Sequence, residues 1–439
     1  MENSLLIKNC RILDKGKLKN TSIFISNGKI KSIGNIGKVI KANKAIDAKN
    51  NIVIPGLIDL HVHFRQPGHE YKEDFYTGSR AAAKGGVTSI FDMPNTNPAT
   101  TSVKALEQKR ELARRYCIVN YSFHFGATKD NSKEIVKADT KGVKIYMGSS
   151  TGNLLVDKTK DLKNVFLAAK KSGKICLLHA ENEECLQKNI SEYKAKGLDS
   201  PEMHSAVREN KCAAIAVKDA LKLKKEIGNK IYFCHTSTKE EISSIRNAKK
   251  KAKGIYCEVT PHHLFLDTRA YRKYGNFVKV NPPLRYIEDQ KALWKGVNDR
   301  TVDAIATDHA PHQPDEKEKN YWDAPSGIPG VETILALLLD AVNSGELSLK
   351  QVIELTSENP AKIFGIKNKA KIKKGYDADL VIVDMEMKDS IGQIESKSKW
   401  SPFHDKVLKG WPIVTIINGN IVYYQGQLYN NKGKELEFE

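Results

Sequence analysis

His61-Val62-His63 is the stretch of this chain with the most chemistry in it. An apolar run, Ile52-Val53-Ile54-Pro55-Gly56-Leu57-Ile58-Asp59-Leu60, leads directly into two histidines two residues apart. On a strand, side chains at i and i+2 share a face. Both imidazoles can therefore reach one point from the end of one strand. Neutral imidazole is a common metal ligand, and the pair reads as half of a metal site. Two surface histidines on an edge strand would carry the same short motif, so the rest of the chain has to choose between the readings.

The choice depends on the elements that would bring partners to this pair. From about residue 57, apolar stretches alternate with helical ones, which argues for a parallel sheet or barrel. The strand candidates are residues 57–64, 87–93, 120–126, 143–148, 175–180, 231–235, 255–261 and 302–307. Helical stretches lie between them, at 76–84, 104–116, 161–172, 206–226 and 239–251, with further helices at 331–344 and 349–357. This α/β pattern predicts a (β/α)8 TIM-like barrel. A doubly wound open sheet is the alternative, but no Gly-rich dinucleotide turn follows the first strand. Before the barrel, residues 4–8, 22–26 and 30–33 read as short strands, with a hairpin signal at Asn27-Gly28. After it, residues 373–383 turn back to β, and strands at 414–417 and 420–424 flank Asn418-Gly419. The expected organisation is a small β-sandwich module assembled from both termini, residues 1–53 and 367–439, around a barrel at 54–366.

In such a barrel the C-terminal strand ends form the site. Those ends hold His61 and His63 on strand one, Lys144 on strand four, His179 on five, His235 on six and Asp308 on eight. Clustered histidine and carboxylate ligands are what a zinc site needs. His124, between Phe123 and Phe125, reads as a core histidine, and His262 and His263 follow Pro261 at the mouth. His69, His204, His309 and His404 acquire no role. Lys144 is flanked by Val143 and Ile145, where a charged amine is costly to bury. Desolvation lowers an amine's pKa, and a neutral amine can add CO2 to become an anionic carbamate that bridges two metals. A lysine snorkelling out of its strand is the plain alternative. Residues 312–327 form a long charged loop, a candidate lid.

The bulk properties narrow the class. A chain of 439 residues allows one large domain with a satellite. No run approaches the ~18 apolar residues of a membrane span, and the N-terminal residues lack a signal-peptide layout. Seven scattered cysteines without a C-x-x-C, in settings such as Ile175-Cys176-Leu177, predict reduced, mostly buried thiols and a cytoplasmic protein. The net charge of +19 comes from lysines spread over helical stretches such as 222–230 and 246–253. With no aromatic-interleaved basic stripe, this reads as a solvated surface rather than a nucleic-acid face, and it also suits an anionic substrate.

Several motifs together resemble the dihydroorotases of the amidohydrolase superfamily. They are PGLIDLHVHFRQPG at 55–68, Asp92-Met93-Pro94-Asn95-Thr96, GVKIYMG on strand four, HAEN on strand five, Asn281-Pro282-Pro283-Leu284-Arg285, Asp308-His309-Ala310-Pro311-His312 and the GYDADLVIVD return. The strand-four segment GVKIYMGSSTGN is similar to members that use a lysine as bridging ligand. The resemblance implies two Zn2+ ions. His61, His63 and Asp308 would hold one and His179 and His235 the other, with carbamylated Lys144 and a hydroxide as bridges; a one-metal site is the simpler variant. It implies Asp308 as the catalytic proton carrier. Arg65 and Asn95 would grip a substrate carboxylate, with His63, Asn281, His312, Ser326 and Gly327 also at the substrate. The implied activity is the reversible, zinc-dependent interconversion of carbamoyl-aspartate and dihydroorotate in pyrimidine synthesis. A homodimer and an association with aspartate transcarbamoylase are the assemblies it suggests. The rival readings are another cyclic amidase (dihydropyrimidinase, hydantoinase or allantoinase) and a non-catalytic scaffold homologue.

Overall fold

The computed structural model of the protein describes residues 4–36, 41–150, 152 and 154–439; Thr151 and Asn153 of the strand-four motif lie outside the described residues. Eight strands form one sheet in sequence order: Leu57–Val62, Val87–Asp92, Asn120–Gly126, Gly142–Tyr146, Ile175–His179, Ile231–Phe233, Ile255–Val259 and Ala304–Ile305. Every adjacent pair is parallel. A parallel bridge between Val62 and His309 joins the first strand to the chain just past the last, so the sheet curls into a (β/α)8 barrel. The strands are buried on both faces and read as near-continuous apolar runs for that reason. The ring of helices is capped by local chemistry. Asp74 accepts from Thr77 N, Ser102 from Ala105 N, and Thr238 with Glu241 forms a capping box.

The second sheet is mixed and takes strands from both ends of the chain. Ser4–Asp14 pairs antiparallel with Lys17–Ser26 and parallel with Lys44–Asp47 and Ile52–Pro55. Leu380–Ser390 pairs antiparallel with Ile52–Pro55 and with Val407–Ile417. Its core is separate from the barrel's and includes Leu5, Ile7, Ile23, Ile25, Val53, Leu380, Ile382 and Val414. The chain then returns to the barrel base, where Glu435 bridges Tyr121 and the Phe438 ring lies 6.1 Å from that of Phe91. Among the described residues no helix is long and apolar enough to cross a membrane.

Three local outcomes differ from the sequence expectations. The helix expected at 206–226 is two, His204–Val207 and Asn210–Ile227. The break falls where Arg208 turns inward to meet a buried carboxylate. The helix expected at 349–357 runs as Leu349–Ile353, then through a wider turn at Glu354–Glu358 into Asn359–Phe364. The expectation of reduced cysteines throughout is corrected: Cys185 and Cys212 form a disulfide across 27 residues, with Cα atoms 5.4 Å apart. The fold sets the first turns of two helices side by side, a proximity that neither local spacing nor apolar neighbours reveal. The other five cysteines are free and buried.

Candidate active site

The first barrel strand delivers His61 and His63 to the C-terminal rim, and His63 N donates to His309 O at 2.8 Å. Across the barrel closure Asp308 enters with φ +48. One oxygen of Asp308 lies 3.2 Å from His61 Nε2 and 3.1 Å from His63 Nε2. The ligand atoms of these three residues all lie within 4.8 Å of one another, a group that can hold one metal ion.

The ring tautomers follow from their other nitrogens. His61 Nδ1 donates to Glu258 Oε1 at 2.5 Å, and His63 Nδ1 donates to Asn95 Oδ1 at 2.6 Å. Each Nε2 is left as a lone pair facing the cluster. Glu258 is itself held by Tyr232 Oη, which donates at 2.8 Å, and by His235 N at 3.1 Å. Burial pushes the Glu258 carboxyl up to about 7.

The second half of the cluster has the opposite ring orientation. His179 Nε2 donates to Glu181 Oε2 at 2.8 Å, so its Nδ1 lone pair faces His235 Nε2 at 3.0 Å. Glu181 is completely buried, and Arg208 grips it through Nε at 3.1 Å and through NH2. Burial pushes the pKa of all four rings down, furthest for His61 and His235. The rings are neutral, the form in which imidazole ligates. For Asp308, burial would raise the carboxyl, but His61, His63 and Lys144 together hold it below the usual carboxylate range. The neutral imidazoles of His61 and His63 with the ionised Asp308 fit a metal ion, and the His179–His235 pair stands beside them, the His235 ring 5.3 Å from that of His61.

Lys144 does not snorkel. It is 1% exposed, with Nζ 3.5 Å from His61 Nε2 and 5.1 Å from the centre of the Tyr146 ring. Two further groupings of metal-type side chains exist among the described residues. In one, His61 is already committed to Glu258; in the other, Cys185 and Cys212 are joined to each other.

The cluster opens into a narrow cleft lined also by Arg65, Asn95, Tyr146, Asn281, Ser326 and Gly327. Arg65, in the left-handed region at φ +63, is buried; Nε donates to Pro311 O at 3.3 Å and NH2 lies 3.2 Å from His312 Nε2. Glu70 accepts from Gly68 N, and Glu73 from Thr77 and Ser396, so neither pairs with Arg65. His312 sits beside the lining rather than in it, 3.2 Å from Ser326 O. Gly327 adopts φ +156, and a Cβ there would stand 2.4 Å from Ala310 O, so only glycine closes this wall.

Every residue expected at the site from sequence is thus at the rim or one contact away. Glu258, Glu181, Arg208 and Tyr146 are additions. Glu258 had one signal, a lone carboxylate in the otherwise apolar stretch Ile255–Val259. Arg208 had none. His124 is a core histidine: its Nε2 donates to Leu60 O at 3.0 Å and its ring stacks on Phe91.

A (β/α)8 barrel carrying such a cluster at the C-terminal rim defines a metal-dependent hydrolase. The Amidohydrolase family model matches residues 52–422, and the chain belongs to that family. Within it, the chain is a metal-dependent cyclic amidohydrolase of the dihydroorotase, dihydropyrimidinase and hydantoinase group. It is 41% identical over 98% of its length to the dihydroorotase of Methanosarcina mazei, covering 96% of that protein. It is 35% identical to the dihydroorotase of Lactobacillus gasseri, covering 96% of this chain and 99% of that one. Its structure superposes on the L-hydantoinase (dihydropyrimidinase) of Arthrobacter aurescens with a TM-score of 0.95 at 30% identity, over 99% and 100% of the two chains. The dihydropyrimidinase of Brevibacillus agri gives a TM-score of 0.93 at 26% identity, over 99% of each chain.

Proposed function

We propose that this chain interconverts N-carbamoyl-L-aspartate and L-dihydroorotate, with residues 54–366 as the catalytic barrel and 1–53 and 367–439 as one β module. The observation that carries the substrate is Arg65. Among the described residues it makes no ion pair with a carboxylate, although it is buried in the cleft wall. An uncompensated buried guanidinium is costly, and a ring carrying an exocyclic carboxylate would supply the missing partner by bidentate pairing. The names of the sequence relatives above 34% identity support the same ring.

His61, His63 and Asp308 would hold one zinc ion, and His179 and His235 a second, with carbamylated Lys144 between them. Such a pair supplies water of lowered pKa and polarises a carbonyl. The residues do the rest. Arg65 and Asn95 hold the carboxylate so that the ring amide faces the cluster, and His63 reaches the same edge. Asn281 and the backbone at Ser326 and Gly327 fix the ring's other polar atoms, with His312 behind them against Ser326 O. Asp308 takes a proton from the attacking water and passes it to the ring nitrogen as the C–N bond breaks. Ring closure is the same path in reverse.

The alternative is an uncarboxylated ring, favoured by the 0.95 TM-score to a hydantoinase. A panel of dihydroorotate, dihydrouracil, hydantoin and allantoin, run on zinc-loaded protein and on Arg65→Ala, separates the two. We expect turnover of dihydroorotate alone, with KM raised about 10- to 100-fold in the variant, the scale of a lost charged hydrogen-bond pair. Preference for an uncarboxylated ring, unaffected by the substitution, would sink the reading.

A further inference from the structure

His204 carries no role in the site as described, yet it is buried between the cleft and the charged segment beside it. Its Nε2 lies 3.0 Å from Val280 O and 3.1 Å from Asn281 Oδ1. A carbonyl can only accept, so Nε2 carries the proton. In the neutral ring, Nδ1 then accepts from Tyr321 Oη at 2.8 Å. Burial, with Arg208 and Lys279 nearby, pushes the His204 pKa well down, consistent with that neutral ring.

Tyr321 belongs to the segment that carries Ser326 and Gly327. Lys279, two residues before Asn281, donates to Tyr321 O and to Ala324 O (2.6 Å), and its Nζ lies 4.4 Å above the Tyr321 ring. Gly327 N donates back to Lys279 O at 2.9 Å. Trp322 Nε1 donates to Leu198 O at 2.9 Å, tying the same segment to the chain ahead of His204.

We propose that His204 is a positioning residue. The chain Tyr321 O–H to His204, and His204 N–H to Asn281 Oδ1, fixes the amide of Asn281 so that it presents its Nδ2 donors to the cleft. Asn281 then selects an acceptor oxygen on the bound ring, and it does so only when the segment carrying Tyr321 is seated. Sensing of the seated segment is thereby built into substrate binding. This rests on the assignment of Asn281 to the substrate made above.

The test is steady-state kinetics and calorimetric binding of dihydroorotate on the full zinc-loaded chain, with Asn281→Ala setting the ceiling. Tyr321→Phe removes one hydroxyl and keeps the ring. It should raise KM and Kd about three- to tenfold, the scale of one hydrogen bond, with kcat within about twofold. His204→Gln keeps a donor at the Nε2 position and should behave like Tyr321→Phe. His204→Asn keeps only the acceptor toward Tyr321 and should approach Asn281→Ala. If His204→Gln and His204→Asn are equally impaired, or lower kcat and the melting temperature while KM stays put, His204 is merely structural and the proposal is overturned. If Asn281→Ala leaves KM and Kd unchanged, the substrate assignment fails and the relay fails with it. If the protein turns over a different ring, the dihydroorotate reading fails, and the same ordering of variants, measured on that ring, still decides the relay.

Discussion

The barrel mouth and the wall around it both bury lysines, and they treat them differently. On the wall, Lys109 Nζ is 2.5 Å from Asp92 Oδ2 and donates to Met93 O at 2.6 Å. Under the 312–327 segment, Lys317 Nζ donates to three carbonyls, those of Lys279, Pro325 and Gly327, at 2.9–3.1 Å. Lys109 thus has a carboxylate and a carbonyl, and Lys317 has three carbonyls. Lys144, at the mouth, faces His61 Nε2 and the Tyr146 ring, and among the described residues it makes no ion pair. Both structural lysines are buried against oxygen acceptors. A lysine left beside neutral imidazoles lacks such acceptors, and under the proposed function carbamylation, which would turn it into an anion for metal, would resolve the mismatch.

The sharpest break in that comparison is Lys144→Ala. Zinc per chain should fall and kcat should drop on the order of a thousandfold, about 4 kcal/mol of lost charge stabilisation, while the melting temperature holds. Short carboxylates such as propionate should restore part of both, since the shortened side chain leaves room for an anion where the proposed carbamate would stand. Full activity and full zinc in Lys144→Ala would reduce this lysine to a packing residue. Lys109→Met should give the reverse pattern. It leaves Asp92 buried and unpaired at a cost of about 3–5 kcal/mol, read as a lower denaturation midpoint with normal zinc content. Adding Asp92→Asn should recover most of it, because the amide oxygen can still accept from Phe64 N, now bonded at 2.7 Å. No loss in the single variant would mean the wall pair is not holding the fold.

The difference between the lysines also marks what could be read from sequence. Lys144 stood out because a charge at a strand end next to His61, His63, His179 and His235 is a chemical anomaly with a period-2 strand around it. The barrel was legible for the same reason, as apolar strands buried on both faces alternate cleanly with helices. Lys317 lies in a run of charges, Asp315-Glu316-Lys317-Glu318-Lys319, that reads as solvated. Only the fold shows that one of them turns inward. Glu258 meets His61 across 197 residues and Arg208 meets Glu181 across 27, and no local pattern encodes such a distance. The Cys185–Cys212 disulfide was invisible for that reason too, and general rules about cysteine settings pointed the wrong way.

Lys317→Met is the mildest of these tests and bears on the proposed lid. If the segment opened and closed freely, its one inward lysine would make transient contacts and its loss would cost little. The structure instead gives an ammonium's three N–H groups three carbonyls, and two of those carbonyls belong to the segment itself. Methionine fills the space but leaves the carbonyls without donors. The expected cost is about 1–3 kcal/mol, reduced to the extent that water enters. Because Gly327 O is one of the three, hydrogen exchange should quicken across residues 317–327 and KM should rise more than kcat falls. Unchanged exchange in Lys317→Met would show that the seat is held without it, by Lys279, the Tyr321–His204 bond and the Trp322–Leu198 contact.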